Sequence, residues 1–153
     1  MSDSMLPEGE AVELANEKLR EEMLRYNLIT DTNDRYDLAM ALMEPERKVI
    51  VPTYPDPIDP DGMPTFGTMY KHKKGIELYV YTSVTLIPES CDAPDVMFYP
   101  LTDLVASLMA DGEVSILRID PGTEHGVGML FENGRPSLFR LKRVEDHLEG
   151  QKP

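Results

Sequence analysis

Apolar positions recur along this chain at two different periods, and the changes between them outline its elements. Within residues 11–27, Val12, Ala15, Leu19, Met23 and Tyr26 fall three or four residues apart, with Glu13, Glu17, Glu21 and Glu22 on other faces. That spacing predicts an amphipathic helix. Glu8 and Glu10 stand near its positive end and Arg25 near its negative end, the order a helix dipole favours. A capping-rich cluster, Thr30-Asp31-Thr32-Asn33-Asp34, introduces a second, shorter helix with Tyr36, Ala39, Met40 and Met43 on one stripe, ended by Glu44-Pro45.

After residue 47 the pattern shortens to that of strands. Residues 48–53 read as a strand that Pro52 pushes towards a sheet edge or cuts short. Residues 54–64 hold Pro55, Pro57, Pro60, Gly62 and Pro64 and read as a loop. Residues 65–71 and 76–82 flank Lys73-Lys74-Gly75 as the arms of a hairpin, with Gly75 supplying the positive φ its connection needs. An acidic, Pro-bearing crossover leads to a strand at 96–99, a helix at 101–110, an Asp111-Gly112 stop and a strand at 114–119. Asn133-Gly134 joins 127–131 to 137–141 as a second hairpin, and 144–148 reads as a short closing helix. Strands interleaved with helices require a sheet with α cover. The expected fold is α+β: a mixed sheet, in two or three layers, covered by the N-terminal helix pair and the helix at 101–110. Residues 1–10 are expected to form a flexible lead, 11–149 a single domain and 150–153 a tail.

Charge narrows the partners. The chain has 153 residues and a formal net charge of −13, and residues 1–46 alone hold twelve acids against four bases. Such a surface repels phosphate backbones and anionic lipid, so neither nucleic acid nor membrane is expected as a partner. No apolar run approaches a membrane span, and the start lacks the basic and apolar segments of a signal peptide. Cys91 is the single cysteine, which excludes an internal disulfide and leaves the cytoplasm as the expected compartment.

Three segments carry a resemblance: Leu78-Tyr79-Val80-Tyr81-Thr82-Ser83, then Phe98-Tyr99-Pro100-Leu101-Thr102-Asp103-Leu104, then Ile116-Leu117-Arg118-Ile119-Asp120-Pro121-Gly122. In order and spacing they resemble the SseB N-terminal domain family, over residues 11–130. Tyr81 stands where that family usually has Phe, and Asp120 where it usually has Asn. The resemblance implies a bacterial cytoplasmic α/β domain without the separate C-terminal domain of longer members, and it supplies no catalytic residues. It leaves the biochemical role undefined, and the function expected for this chain is a non-enzymatic module that binds another protein through a loop-and-hairpin surface around residues 63–74 and 120–128.

Candidate chemistry is sparse. Asp56, Asp59 and Asp61 before Gly62 miss the calcium-loop pattern, since counting back from Gly62 puts Pro57 first. Asp120, Gly122, Glu124 and His125 form a loop after a strand, where α/β folds hold ligands, although its glycines fit neither a dinucleotide nor a phosphate loop. Glu124 and His125 there could form a general acid/base pair. Lys71, His72, Lys73 and Lys74 form a basic hairpin tip able to hold an anion. His72, His125 and His147 have no spacing for a zinc site, so no metal or cofactor is expected. Two other readings remain: a small-molecule or anion-binding sensor or enzyme with the loop and the lysine tip in one pocket, and an acidic immunity-type protein that neutralises a basic partner.

Overall fold

The first apolar stripe folds as helix, but in two pieces. In the computed structural model, which describes residues 2–28, 32–57, 64–72, 75–132 and 135–140, α1 spans Ser2–Ala15 and α2 spans Glu17–Leu28. Val12, Leu19, Met23 and Tyr26 are buried, whereas Ala15 is exposed. The break falls on Asn16. Its backbone keeps helical bonds on both sides, from its own N–H to the Val12 carbonyl and from the Arg20 N–H to its carbonyl. Its fully buried side chain donates instead to the carbonyls of Lys48 and Thr82, the competition for backbone partners at which Asn excels. The lead expected over residues 1–10 is helical from Ser2 onward. Pro7 and Gly9 disfavour helix by propensity, yet α1 runs through both, and at Gly9 it passes close to Val84 and Phe98, which an added Cβ would meet at 3.6 and 3.9 Å.

The third helix, α3 (Thr32–Leu42), turns a different face to the core than its spacing predicts. Leu38 and Leu42 are fully buried, while Tyr36 and Met40 are 67% and 57% exposed. Apolar residues occupy both sides of this short helix, so periodicity does not choose between them.

The strands are β1 (Lys48–Pro57), β2 (Pro64–Phe66), β3 (Met69–His72), β4 (Gly75–Val80), β5 (Asp95–Pro100), β6 (Val114–Ile119), β7 (Val127–Glu132) and β8 (Arg135–Arg140), with α4 (Leu101–Asp111) after β5. They make two sheets where one was expected: an antiparallel three-stranded sheet in the order β2-β1-β5, and a mixed five-stranded sheet in the order β3-β4-β6-β7-β8. The parallel pair of the larger sheet is β4 with β6. Phe66 pairs with Thr53 of β1, whereas Met69 pairs with Leu78 of β4, so the chain changes sheets at Gly67-Thr68. The Gly67 N–H donates to the Pro52 carbonyl, and a Cβ on Gly67 would come within 2.5 Å of that of Ala93. Ile50 and Tyr81 exchange both backbone hydrogen bonds, 2.7 and 2.9 Å, and so bridge the two sheets.

Pro52 does not hold β1 at an edge. It pairs with Val96 of β5 while its carbonyl points the other way, to Gly67, so the N–H it lacks is missing from the side away from the β5 ladder. The helix expected at 101–110 is α4. Leu101, Leu104, Val105 and Leu108 are buried, and Gly112, at φ 74°, ends it with its N–H on the Leu108 carbonyl. Leucines, valines and methionines of α2, α3, α4, β1, β4, β6 and β7 form one core, and Val12, Ile50 and Tyr81 form a smaller one. The fold is α+β.

Candidate functional site

Asp120 leaves the end of β6 with a left-handed backbone, φ 52°, a conformation Asp tolerates better than most residues. Its N–H continues the ladder to the Val80 carbonyl, and its fully buried carboxylate turns back on the end of β4. One oxygen accepts from the Thr82 N–H at 2.8 Å. The other receives both the Thr82 hydroxyl at 2.5 Å and His125 Nε2 at 2.7 Å. Asp120 therefore ties together the ends of the two parallel strands and the loop that follows them.

In that geometry Glu124 and His125 do not pair with each other. His125 bonds Asp120 and not its neighbour Glu124, whose side chain is exposed and whose carbonyl accepts from Asn27. The Thr82 hydroxyl donates to this carboxylate and not to the imidazole, and Thr82 is fully buried, out of reach of a substrate. Gly122, at φ 84°, serves the turn.

The basic tip lies elsewhere. His72 pairs with Gly75 at the start of β4, beside the start of β6, and Asp120 follows the opposite end of the same parallel pair. Five residue steps of about 3.3 Å put roughly 17 Å between these ends. Lys71 is exposed on β3, the side chain of His72 is not described, and Lys73 and Lys74 lie outside the described residues. The described ends of the lysine tip, Lys71 and Gly75, thus lie at the opposite end of the sheet from the loop. The expected helix at 144–148 and most of the acidic loop at 56–61 also lie outside the described residues, among which no cluster could hold a metal ion.

Behind the Asp120 tie runs a polar seam that the sequence reading did not pick out. The Thr82 carbonyl accepts from Asn16 at 3.1 Å and Arg20 at 3.3 Å, and Arg20 also reaches the Glu13 carbonyl. Arg47 donates to the carbonyls of Ala15 and Ala41, to the Asn16 side-chain oxygen and to Glu44. Burial pushes the Arg47 guanidinium below its usual range, and Glu44 opposes that shift. A signal for this seam was present. Val12, Asn16, Leu19, Met23 and Tyr26 repeat at four, three, four and three residues, so Asn16 is a polar residue on a core stripe.

On the outer side of Asn16 lies a groove of about 650 Å³ between α1, the turn at 45–48 and the start of α4. Ala11, Val12, Ala15, Pro45 and Pro100 give it an apolar floor, and Glu8, Glu46, Lys48 and Asp103 stand around it. Lys48 is 3.6 Å from Glu8. Glu46 holds a left-handed backbone, φ 71°, which costs a residue of its type about 1 kcal/mol. No described helix is long and apolar enough to cross a membrane. No protein-family model, curated protein or solved structure matches the chain.

Proposed function

We propose that this protein is a non-enzymatic protein-interaction module and that its working surface is the groove beside Asn16. The observation that carries this reading is the division of labour between two regions. The groups with chemical potential converge on the Asp120 carboxylate, which accepts from the Thr82 N–H and hydroxyl and pairs with His125. The concave apolar surface contains none of them and is floored by small side chains. A volume of about 650 Å³ lies within the roughly 300–1,000 Å³ of pockets that hold small ligands, room enough for a few side chains of a partner. The cytoplasm is the compartment we assign, because a single cysteine asks for no oxidising environment.

A displayed library of random short peptides, sorted on the whole chain, tests the proposal. Ala11 and Ala15 are exposed on the groove floor, so Ala11→Trp and Ala15→Trp fill the groove without disturbing the core. The expected result is a recurrent motif recovered on the parent chain and lost on both tryptophan variants. A library that yields no binder, or binders indifferent to both variants, overturns the reading.

A further inference from the structure

Resting on that interaction reading, we infer that the groove takes a cationic segment of a partner protein, with lysine or arginine beside small apolar side chains. Three carboxylates, Glu8, Glu46 and Asp103, stand around the apolar floor against one ammonium, Lys48. Lys48 is already engaged by Glu8 at 3.6 Å. Glu46 and Asp103 are exposed and have no ion-pair partner among the described residues. The groove therefore presents uncompensated negative charge over apolar surface.

The first turn of α4 also opens here, and helix amides ordinarily attract anions. In this case Asp103 occupies that turn, and no side chain caps the helix at Pro100. The negative charge favoured at the helix end is thus supplied by the protein itself, which turns the rim towards cations. Long basic side chains suit both parts of the surface, because their methylene stems cover apolar area while their charged heads stay in water. The twelve acids and four bases of residues 1–46 extend the same field beyond the groove and steer a basic partner towards it.

The probes are three fluorescently labelled pentapeptides of alternating alanine with lysine, glutamine or glutamate, measured by anisotropy at 50 and 500 mM salt. On the parent chain the lysine peptide is expected to bind tightest and the glutamate peptide weakest. The double variant Glu46→Gln/Asp103→Asn should weaken the lysine peptide about 5–10-fold and leave the glutamine peptide unchanged, the scale of two partly exposed charge contacts. High salt should weaken the lysine peptide by a similar factor. Equal binding of the glutamine and lysine peptides, or indifference of the lysine peptide to the double variant, overturns the cationic assignment and leaves the interaction reading standing. Lysine-peptide binding that survives Ala15→Trp overturns the groove as its seat and assigns the binding to net charge alone. The library result decides the interaction reading separately: neutral or acidic motifs lost on the tryptophan variants would sustain it while refuting the cationic segment.

Discussion

Replacing Asp120 with alanine tests whether its carboxylate is a structural tie. The substitution leaves two buried donors without their charged acceptor, the Thr82 N–H and the Thr82 hydroxyl. Hydrogen bonds to charged groups contribute about 1.5–3 kcal/mol each, with the amide at about 2 and the hydroxyl, which rotates to another acceptor, at about 1. His125 keeps 17% of its side chain in water and recovers most of its loss there. Alanine at φ 52° adds about 1 kcal/mol of backbone strain. The total is about 4 kcal/mol, a large share of the roughly 5–15 kcal/mol that holds a domain together. Asp120→Asn keeps an acceptor for the Thr82 N–H and tolerates the left-handed backbone, while the hydroxyl reverses to accept from the new amide; its cost is about 1–2 kcal/mol. Urea unfolding followed by far-ultraviolet circular dichroism at 25 °C measures both. A loss below about 1.5 kcal/mol for Asp120→Ala, or equal losses for the two variants, would refute the tie.

Three further outcomes follow from packing and ionisation. A Cβ at Gly128 would come within 2.2 Å of the Phe139 ring across the β7–β8 pair. Gly128→Ala should therefore cost about 1–3 kcal/mol in urea unfolding, and Phe139→Leu should recover part of it in a double-mutant cycle. On α3, Leu38→Ala should cost about 2–5 kcal/mol, whereas Tyr36→Ser and Met40→Gln should stay within about 0.5 kcal/mol; the reverse order would restore the face that the spacing suggested. Burial pushes the Tyr81 phenol far above its usual value of 10.0. Because the folded value lies above the unfolded one, Tyr81 contributes stability that is present below pH 10 and is lost as pH rises, at up to about 1.4 kcal/mol per pH unit. Tyr81→Phe should flatten stability between pH 10 and 11.5 relative to the parent; parallel curves would contradict it.

Local rules were legible where one rule applied. The Asp111-Gly112 stop ends α4 because Gly112 alone adopts the left-handed cap at no steric cost, and alternation around Asn133-Gly134 gave the β7–β8 pairing. Two rules in competition were not. Apolar residues on both sides of α3 left its buried face open, and Thr65-Phe66 read as part of a hairpin arm although Gly67-Thr68 delivers them to the other sheet. At the candidate site, Asp120 and His125 were visible only as members of one loop, in which His125 was paired with Glu124, and the Thr82 partner of Asp120 lies 38 residues before it, a distance that spacing arguments do not cross. The groove was invisible for the same reason, since it joins α1 to the start of α4 through residues as ordinary as Ala11, Pro45 and Pro100.

The reach of Asn16 sets a timetable for a nascent chain. Its two carbonyl partners are translated 32 and 66 residues after it. At synthesis rates of about 5–20 residues per second, the wait for Thr82 lasts roughly 3–13 s. Until β1 follows, Leu19 and Met23 have none of the β-strands that later share their core, and β6 and β7 come only after Thr82, so α2 is a stretch that a holdase chaperone would meet before the sheet is complete.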